Sequence, residues 1–244
     1  MQFLFFGIIQ GLTEFLPISS SGHLYLFQKI LGINGNLLPF FVILHLATLL
    51  AIILFFHNQL KELFCNKKIL LHIGIITLIS ASLGLIIKHF FTGFFVFKYL
   101  IAFCFFINGI ILLSAKNRSC KRTLQALSFK DSIILGILQG LAIFPGISRS
   151  GITIIGLLKR GFDAKEAFSF SFIMAIPIIL GAFLVEGKEI LSVNIGTTNI
   201  IISFIVAVLS GLFALKIIKK ALIKVKFHNF GYYCLLTFFI TLFL

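Results

Sequence analysis

Five stretches of this chain, residues 39–57, 69–88, 95–115, 168–185 and 199–218, carry almost no charge and can only be stable out of water. As helices, each is long enough, or nearly so, to cross about 30 Å of hydrocarbon. A sixth stretch, residues 230–244, is shorter and is counted as a further span. A water-soluble domain of 244 residues has no use for 59% apolar residues and 32 phenylalanines against 11% charged ones. The chain therefore reads as an all-α polytopic membrane protein with about six transmembrane helices, one integral membrane domain over residues 1–244. The N-terminal residues lack the basic stretch and small-residue cleavage site of a secretory signal and are expected to remain in place. The cysteines, at 65, 104, 120 and 234, share no metal-type spacing and are read as incidental.

Two segments break the apolar pattern. Residues 1–31 and 131–160 are apolar but interrupted by Pro, Gly and Ser. That composition suits re-entrant helix–loop–helix segments, whose irregular backbone is sheltered by protein or lines a cavity. The two segments also match each other. Gly7, Ile8, Gln10, Gly11, Leu12 and Phe15 recur as Gly136, Ile137, Gln139, Gly140, Leu141 and Phe144. Ile18-Ser19 and Ser21-Gly22 continue in the same register onto Ile147-Ser148 and Ser150-Gly151, and only Pro17 slips by one against Pro145. Chance repetition of apolar sequence would not keep Gln, Gly and Ser in register, so this is an internal repeat.

The charges then give a topology. Three spans separate the two broken segments, and an odd number makes the copies enter the membrane from opposite sides. The expected architecture is an inverted-topology repeat, with repeat one over residues 1–115 and repeat two over 131–244, and a site near the midplane between them. On this arrangement Lys61, Lys67, Lys68, Lys116, Arg118, Lys121, Arg122 and Lys130 share one side with Lys159, Arg160, Lys165, Lys216, Lys219, Lys220, Lys224 and Lys226. That basic side is cytoplasmic, leaving Lys29, Lys88, Lys98 and Lys188 at the other face or at span ends. The first broken segment then opens to the outside. The net charge of +14 is thus explained by orientation and does not call for nucleic acid as a partner.

Glu14 and Arg149 are the charges that hydrocarbon should exclude. The other acidic residues, Glu62, Asp131, Asp163, Glu166, Glu186 and Glu189, lie at span ends or loops. An ionisable residue inside the membrane marks a functional site unless it is merely one half of a structural ion pair. Pro17 followed by Ser19, Ser20 and Ser21 reads as a helix start, and so does Pro145 followed by Ser148, Arg149 and Ser150. N-capping alone uses one hydroxyl per helix. Two such starts, with unpaired N–H groups and a guanidinium, make a pocket for a highly charged anion such as a phosphate. His23, three residues after Ser20 and four after Ser19, can share a helical face with either and is expected to transfer protons or activate a hydroxyl. His45 and His72 read as buried, satisfied histidines. Gln10 and Glu14, four apart, face one way and offer a thin pair of oxygen ligands for Mg²⁺ or Ca²⁺.

The stretch Gln10-Gly-Leu-Thr-Glu14-Phe-Leu-Pro-Ile-Ser-Ser-Ser-Gly-His23, with Pro145-Gly-Ile-Ser-Arg-Ser-Gly151, strongly resembles the undecaprenyl-pyrophosphate phosphatases, the bacitracin-resistance family. Glu166-Ala-Phe-Ser-Phe-Ser-Phe and Ala175-Ile-Pro177 extend the likeness over most of the chain. The resemblance implies hydrolysis of the C55 isoprenyl pyrophosphate to the monophosphate carrier of cell-wall synthesis, at the outer face of the bacterial inner membrane. It also implies a divalent cation, Mg²⁺ or Ca²⁺. Carried over by position, Glu14, His23 and Arg149 are catalytic together with Ser20, with Ser19 or water as rival nucleophile. Ser19, Ser21, Ser148, Arg149 and Ser150 bind phosphate, and Glu14 with Gln10 serves the cation. The chain departs from the pattern by having Gln10 as the first position of its first motif, and His45 where Gln is expected. The partners are the lipid pyrophosphate and the bilayer, with a homodimer left open. A secondary transporter or lipid flippase with the same inverted repeat is the rival function.

Overall fold

The computed structural model describes residues 2–91, 97–115, 121–190, 195–223 and 227–244. Lys116, Arg118, Cys120, Lys224 and Lys226, and the side chains of Lys188 and Glu189, lie outside that description. The described chain is helical throughout: α1 (Gln2–Phe15), α2 (Ser20–Ile30), α3 (Leu38–Phe55), α4 (His57–Phe64), α5 (Lys67–Phe91) and α6 (Lys98–Leu113), then α7 (Phe129–Leu141), α8 (Arg149–Lys159), α9 (Ala164–Ile173), α10 (Ile176–Ile190), α11 (Thr197–Ile223) and α12 (Asn229–Phe243). Leu38–Phe55, Lys67–Phe91, Ala164–Glu186 and Thr197–Ala221 are long and apolar enough to cross a membrane. Large apolar side chains such as Leu78, Leu184 and Leu209 stand on the outer surface, as in a protein solvated by lipid. The chain is a multi-pass membrane protein.

The six-span expectation needs two amendments. Lys98–Leu113 and Asn229–Phe243 are apolar but shorter; at 16 and 15 residues they reach only about 24 Å and 22 Å. The expected span over 168–185 is not one helix. It breaks between α9 and α10, where Met174 caps α9 and Ile176 restarts the chain. Pro177 explains the break, because it has no N–H to offer the carbonyl of Ile173 and biases the residue before it away from the helical region.

The two repeated segments form helix pairs. In the first, α1 and α2 (14 and 11 residues) flank the turn at Leu16–Ser19; in the second, α7 and α8 (13 and 11 residues) flank the turn at Ala142–Ser148. None of these helices has the length of a span. The repeated glycines have a packing role. A Cβ on Gly7 or Gly11 would collide with the backbone of Ser203 and Ala207, so α1 lies directly against α11. A Cβ on Gly136 or Gly140 would press on Ile79 and Leu83, and α7 lies against α5 in the same way. Small residues four apart let helices approach closely where no hydrophobic effect drives them together. α6 packs along α12, and α3 lies against both α10 and α11. α8 is buried from Ser150 to Leu157 and occupies the centre of the molecule.

At the basic end, Asp131 joins separate parts of the chain. It is fully buried and accepts from Arg122 Nη2 at 2.6 Å and Arg160 Nε at 2.7 Å. It also closes a capping box with Ser128 at the start of α7. Nearby, Lys68 Nζ donates to the Gln125 carbonyl, and Glu166 accepts from the Leu124 N–H.

Candidate active site

The N-termini of α2 and α8 meet beside α6. Each is capped by the serine that the repeat places there: Ser19 Oγ accepts from Gly22 N, and Ser148 Oγ from Gly151 N. Ser19 has φ +68°, the one left-handed non-glycine residue among those described. Such a conformation costs of order 1 kcal/mol and persists only where the surroundings fix it. They do so here, because Ser19 Oγ also accepts from Gly146 N at 3.0 Å, in the turn of the second pair. Asn108 on α6 completes the joint, with Nδ2 donating to the Pro17 carbonyl at 2.9 Å and Oδ1 accepting from Ser148 N at 3.1 Å. The two turns are therefore one structural unit.

Glu14, at the end of α1, is the electrostatic centre of this unit. Ser20 Oγ donates to its Oε2 at 2.5 Å, and Arg149 Nη2 lies 2.5 Å from its Oε1. Gln10 Nε2 donates to Oε2 at 3.2 Å, and His45 Nε2 stands 3.5 Å from the same oxygen. Ser20 and Arg149 occupy equivalent positions of the two repeats, so each copy sends the first residue of its second helix to one carboxylate. Ser21 and Ser150 pair with their own caps, Ser19 and Ser148, at 3.4 and 3.2 Å.

A cavity of about 420 Å³ opens on this cluster. Glu14, Ser19, Ser20, Ser21, Ser148 and Arg149 line it, and His45, Lys88 and Glu186 add charged or titratable groups farther along its walls. The Arg149 guanidinium is well placed for an anion: Nη1 is buried without a hydrogen-bond partner, while Nη2 is held by Glu14.

Among the described residues His23 makes no hydrogen bond to a serine hydroxyl. His23 does not line the cavity. Its Nδ1 lies 2.7 Å from the Ser19 carbonyl and its Nε2 2.8 Å from the Tyr233 hydroxyl, with the ring stacked on Tyr233 and edge-on to Phe105. The reason is geometric: the Ser19 carbonyl, four residues before His23, points along the first turn toward the imidazole, while the Ser19 and Ser20 hydroxyls turn to Gly146 N and Glu14. The imidazole in the cavity is His45, anchored through Nδ1 to the Phe41 carbonyl at 2.8 Å. His72 does what a buried structural histidine does, bonding Ser132 Oγ at 2.8 Å. Asn108 and Tyr233 are not singled out by the sequence, and Lys88 and Glu186 read there only as charges at span ends. Of the first two, only Asn108 gave a signal, as an amide within an apolar helix.

The oxygen donors offered to a cation are few. Among the described residues no three His, Cys, Asp or Glu side chains gather as a metal cluster. Gln10 Oε1 is, however, buried and unpartnered, on the same amide whose Nε2 donates to the Glu14 carboxylate. This pair fits a hard divalent cation that brings most of its oxygen ligands from phosphate and water.

Comparisons with known proteins agree in one direction. A protein named undecaprenyl-diphosphatase from Halothermothrix orenii is 41% identical over 241 residues, covering 95% of this chain and 92% of its own. One of the same name from Thermosipho africanus is 42% identical over 251 residues, covering 100% and 99%. Another from Methanococcus maripaludis is 36% identical over the full length of both chains. The family described as bacitracin resistance protein BacA matches residues 3–240. With the match running through both helix pairs and nearly every helix between and after them, the chain belongs to the bacitracin resistance protein BacA family.

Proposed function

We propose that this protein is an undecaprenyl-diphosphatase, the activity for which its relatives are named. It would hydrolyse the lipid pyrophosphate to the monophosphate, recycle the cell-wall carrier and so confer bacitracin resistance. The observation that carries the reading is the meeting of Ser20 and Arg149 on Glu14, between two helix N-termini at a cavity wall.

The substrate's pyrophosphate is held by Arg149, Ser148 and the N–H groups that open α2 and α8, with Ser150 behind them orienting the Ser148 hydroxyl. Its oxygens compete with Glu14 for the guanidinium, and the carboxylate so released can take a proton. Ser20 Oγ, already donating to Glu14, attacks the terminal phosphorus and passes its proton to that carboxylate. The bond from this phosphorus to the bridging oxygen breaks, its electron pair leaves with the lipid monophosphate, and Glu14 returns its proton to that oxygen. Water then attacks the phosphoserine, releasing phosphate and restoring the hydroxyl. Ser20 is preferred to Ser19 because Ser19 Oγ is committed to two backbone N–H groups. His23 serves as a positioning residue, holding the Ser19 backbone from the side of α12. A divalent cation, Mg²⁺ or Ca²⁺, carried by Glu14 and Gln10 Oε1, would supply charge neutralisation for the pyrophosphate.

The fold reading that accompanies this function is an inverted repeat, residues 1–115 and 131–244, each opening with a re-entrant pair at 1–31 and 131–160. Its support is an exchange of partners. The first helix of repeat one packs on α11 of repeat two, while the first helix of repeat two packs on α5, the counterpart of α11 in repeat one. The site would open to the outer face of the bacterial inner membrane. Phosphate release from a long-chain isoprenyl pyrophosphate by purified protein, with and without EDTA, tests the function. Absence of release by folded protein supplied with Mg²⁺ and Ca²⁺ would sink it.

A further inference from the structure

The cavity that holds Glu14 and Arg149 does not end there. It continues between α5 and α10, where its walls are Ala81, Gly84 and Leu85 on one side and Gly181, Ala182 and Val185 on the other. Leu85 and Val185 are 57% and 63% exposed, so the walls run out onto the apolar surface that faces lipid. The glycines here differ from those of α1 and α7. A Cβ on Gly181 would meet nothing within 4 Å, and one on Gly84 would meet only Ile143 at ordinary contact distance. They do not serve close helix packing; they leave open space along a seam where α5 and α10 touch little. At its far end the seam is crossed by an ion pair, Lys88 Nζ to Glu186 Oε1 at 2.8 Å.

We propose that this seam is a lateral portal for the isoprenyl chain of the substrate, with the Lys88–Glu186 ion pair at its charged end. The inference rests on the phosphatase reading and adds to it where the lipid chain lies. An isoprenyl chain is the occupant that matches the walls, because the seam is apolar, lacks bulky side chains and is continuous with the anion-binding wall at Arg149. The chain can remain in the bilayer while the pyrophosphate reaches the helix N-termini. An extended chain entering from the lipid surface also avoids passing a large apolar tail through water.

The test narrows the seam and compares two substrates. Gly181→Leu and Ala182→Phe add bulk where the structure has room, and Leu209→Phe adds similar bulk on the exposed surface of α11, outside the cavity lining. The two seam variants should lower kcat/KM for the long-chain pyrophosphate by about tenfold or more. They should leave hydrolysis of a two-unit isoprenyl pyrophosphate, whose chain ends inside the cavity, within about twofold of wild type. Leu209→Phe should change neither. Unchanged long-chain hydrolysis in both seam variants would overturn the portal, and so would an equal loss on both substrates in folded protein. Failure of the wild type on both substrates would instead defeat the phosphatase reading itself.

Discussion

Arg149 binds Glu14 through one guanidinium nitrogen and leaves the other, Nη1, buried and unpartnered. That fork can grip a pyrophosphate while still sensing the carboxylate, and a lysine ammonium cannot do both. Arg149→Lys should therefore lower kcat/KM by about a hundredfold or more, measured as phosphate release. Near-normal activity in the folded variant would remove Arg149 from the site. The hydroxyls separate in a second measurement. Acid-quenched mass spectrometry of the Ser19–His23 peptide should trap a phosphate on Ser20, and Ser20→Ala should abolish both the adduct and turnover. Ser19→Ala should retain the chemistry but lose stability, since its Oγ caps α2 and bonds Gly146 N. Substantial turnover in Ser20→Ala would point to water as the nucleophile. The types of residue at this site were legible in the sequence because charge and hydroxyl stand out against hydrocarbon. The partners were not. His23 finds Tyr233 from the last helix, and helical spacing alone could not show that Ser19 would leave the helix as its cap.

Among the elements, α7 shows how much a helix end depends on distant chain. Asp131 was readable only as an acidic residue near a span boundary, yet it is fully buried. Burial would raise the carboxyl pKa, but hydrogen bonds from Arg122, Ser128 and Arg160 outweigh it and hold Asp131 well below the usual carboxylate range. A depressed folded-state pKa stabilises the protein above the unfolded carboxyl pKa of about 4, and that contribution is lost as pH falls below it. Asp131→Asn should cost about 2 kcal/mol, discounted because both arginines are partly exposed, and should flatten the acid limb of the stability profile. Thermal unfolding in detergent between neutral and acidic pH measures both effects, and an unchanged Tm at neutral pH would contradict the clamp. The break between α9 and α10 marks the opposite limit of legibility. Hydropathy over residues 168–185 records only apolar content, whereas Pro177 held the information that the helix is interrupted.

For the whole molecule, orientation remains the largest consequence drawn from charge. The basic residues at one end are tied to each other in space as well as in the count: Lys68 reaches the Gln125 carbonyl, and Arg122 and Arg160 share Asp131. α5 starts beside them at Lys67 and ends at Phe91, one turn beyond the Lys88–Glu186 pair. The 25 residues of α5 are about 37 Å long, more than the hydrocarbon thickness, so its two ends belong to opposite aqueous faces. From the excess of Lys and Arg we propose that the Lys67 end is cytoplasmic. Cys65 is exposed beside that end and can report on it directly. In a protein with Cys104, Cys120 and Cys234 replaced, a membrane-impermeant thiol reagent added to intact cells should leave Cys65 unlabelled until the membrane is opened. Asn34→Cys, in the connection between α2 and α3, should label in intact cells. α3 is the one spanning helix between these two sites, and a single crossing places them on opposite sides. Labelling of Cys65 and Asn34→Cys from the same side would therefore break the inverted topology and, with it, the outward opening of the Glu14–Arg149 site.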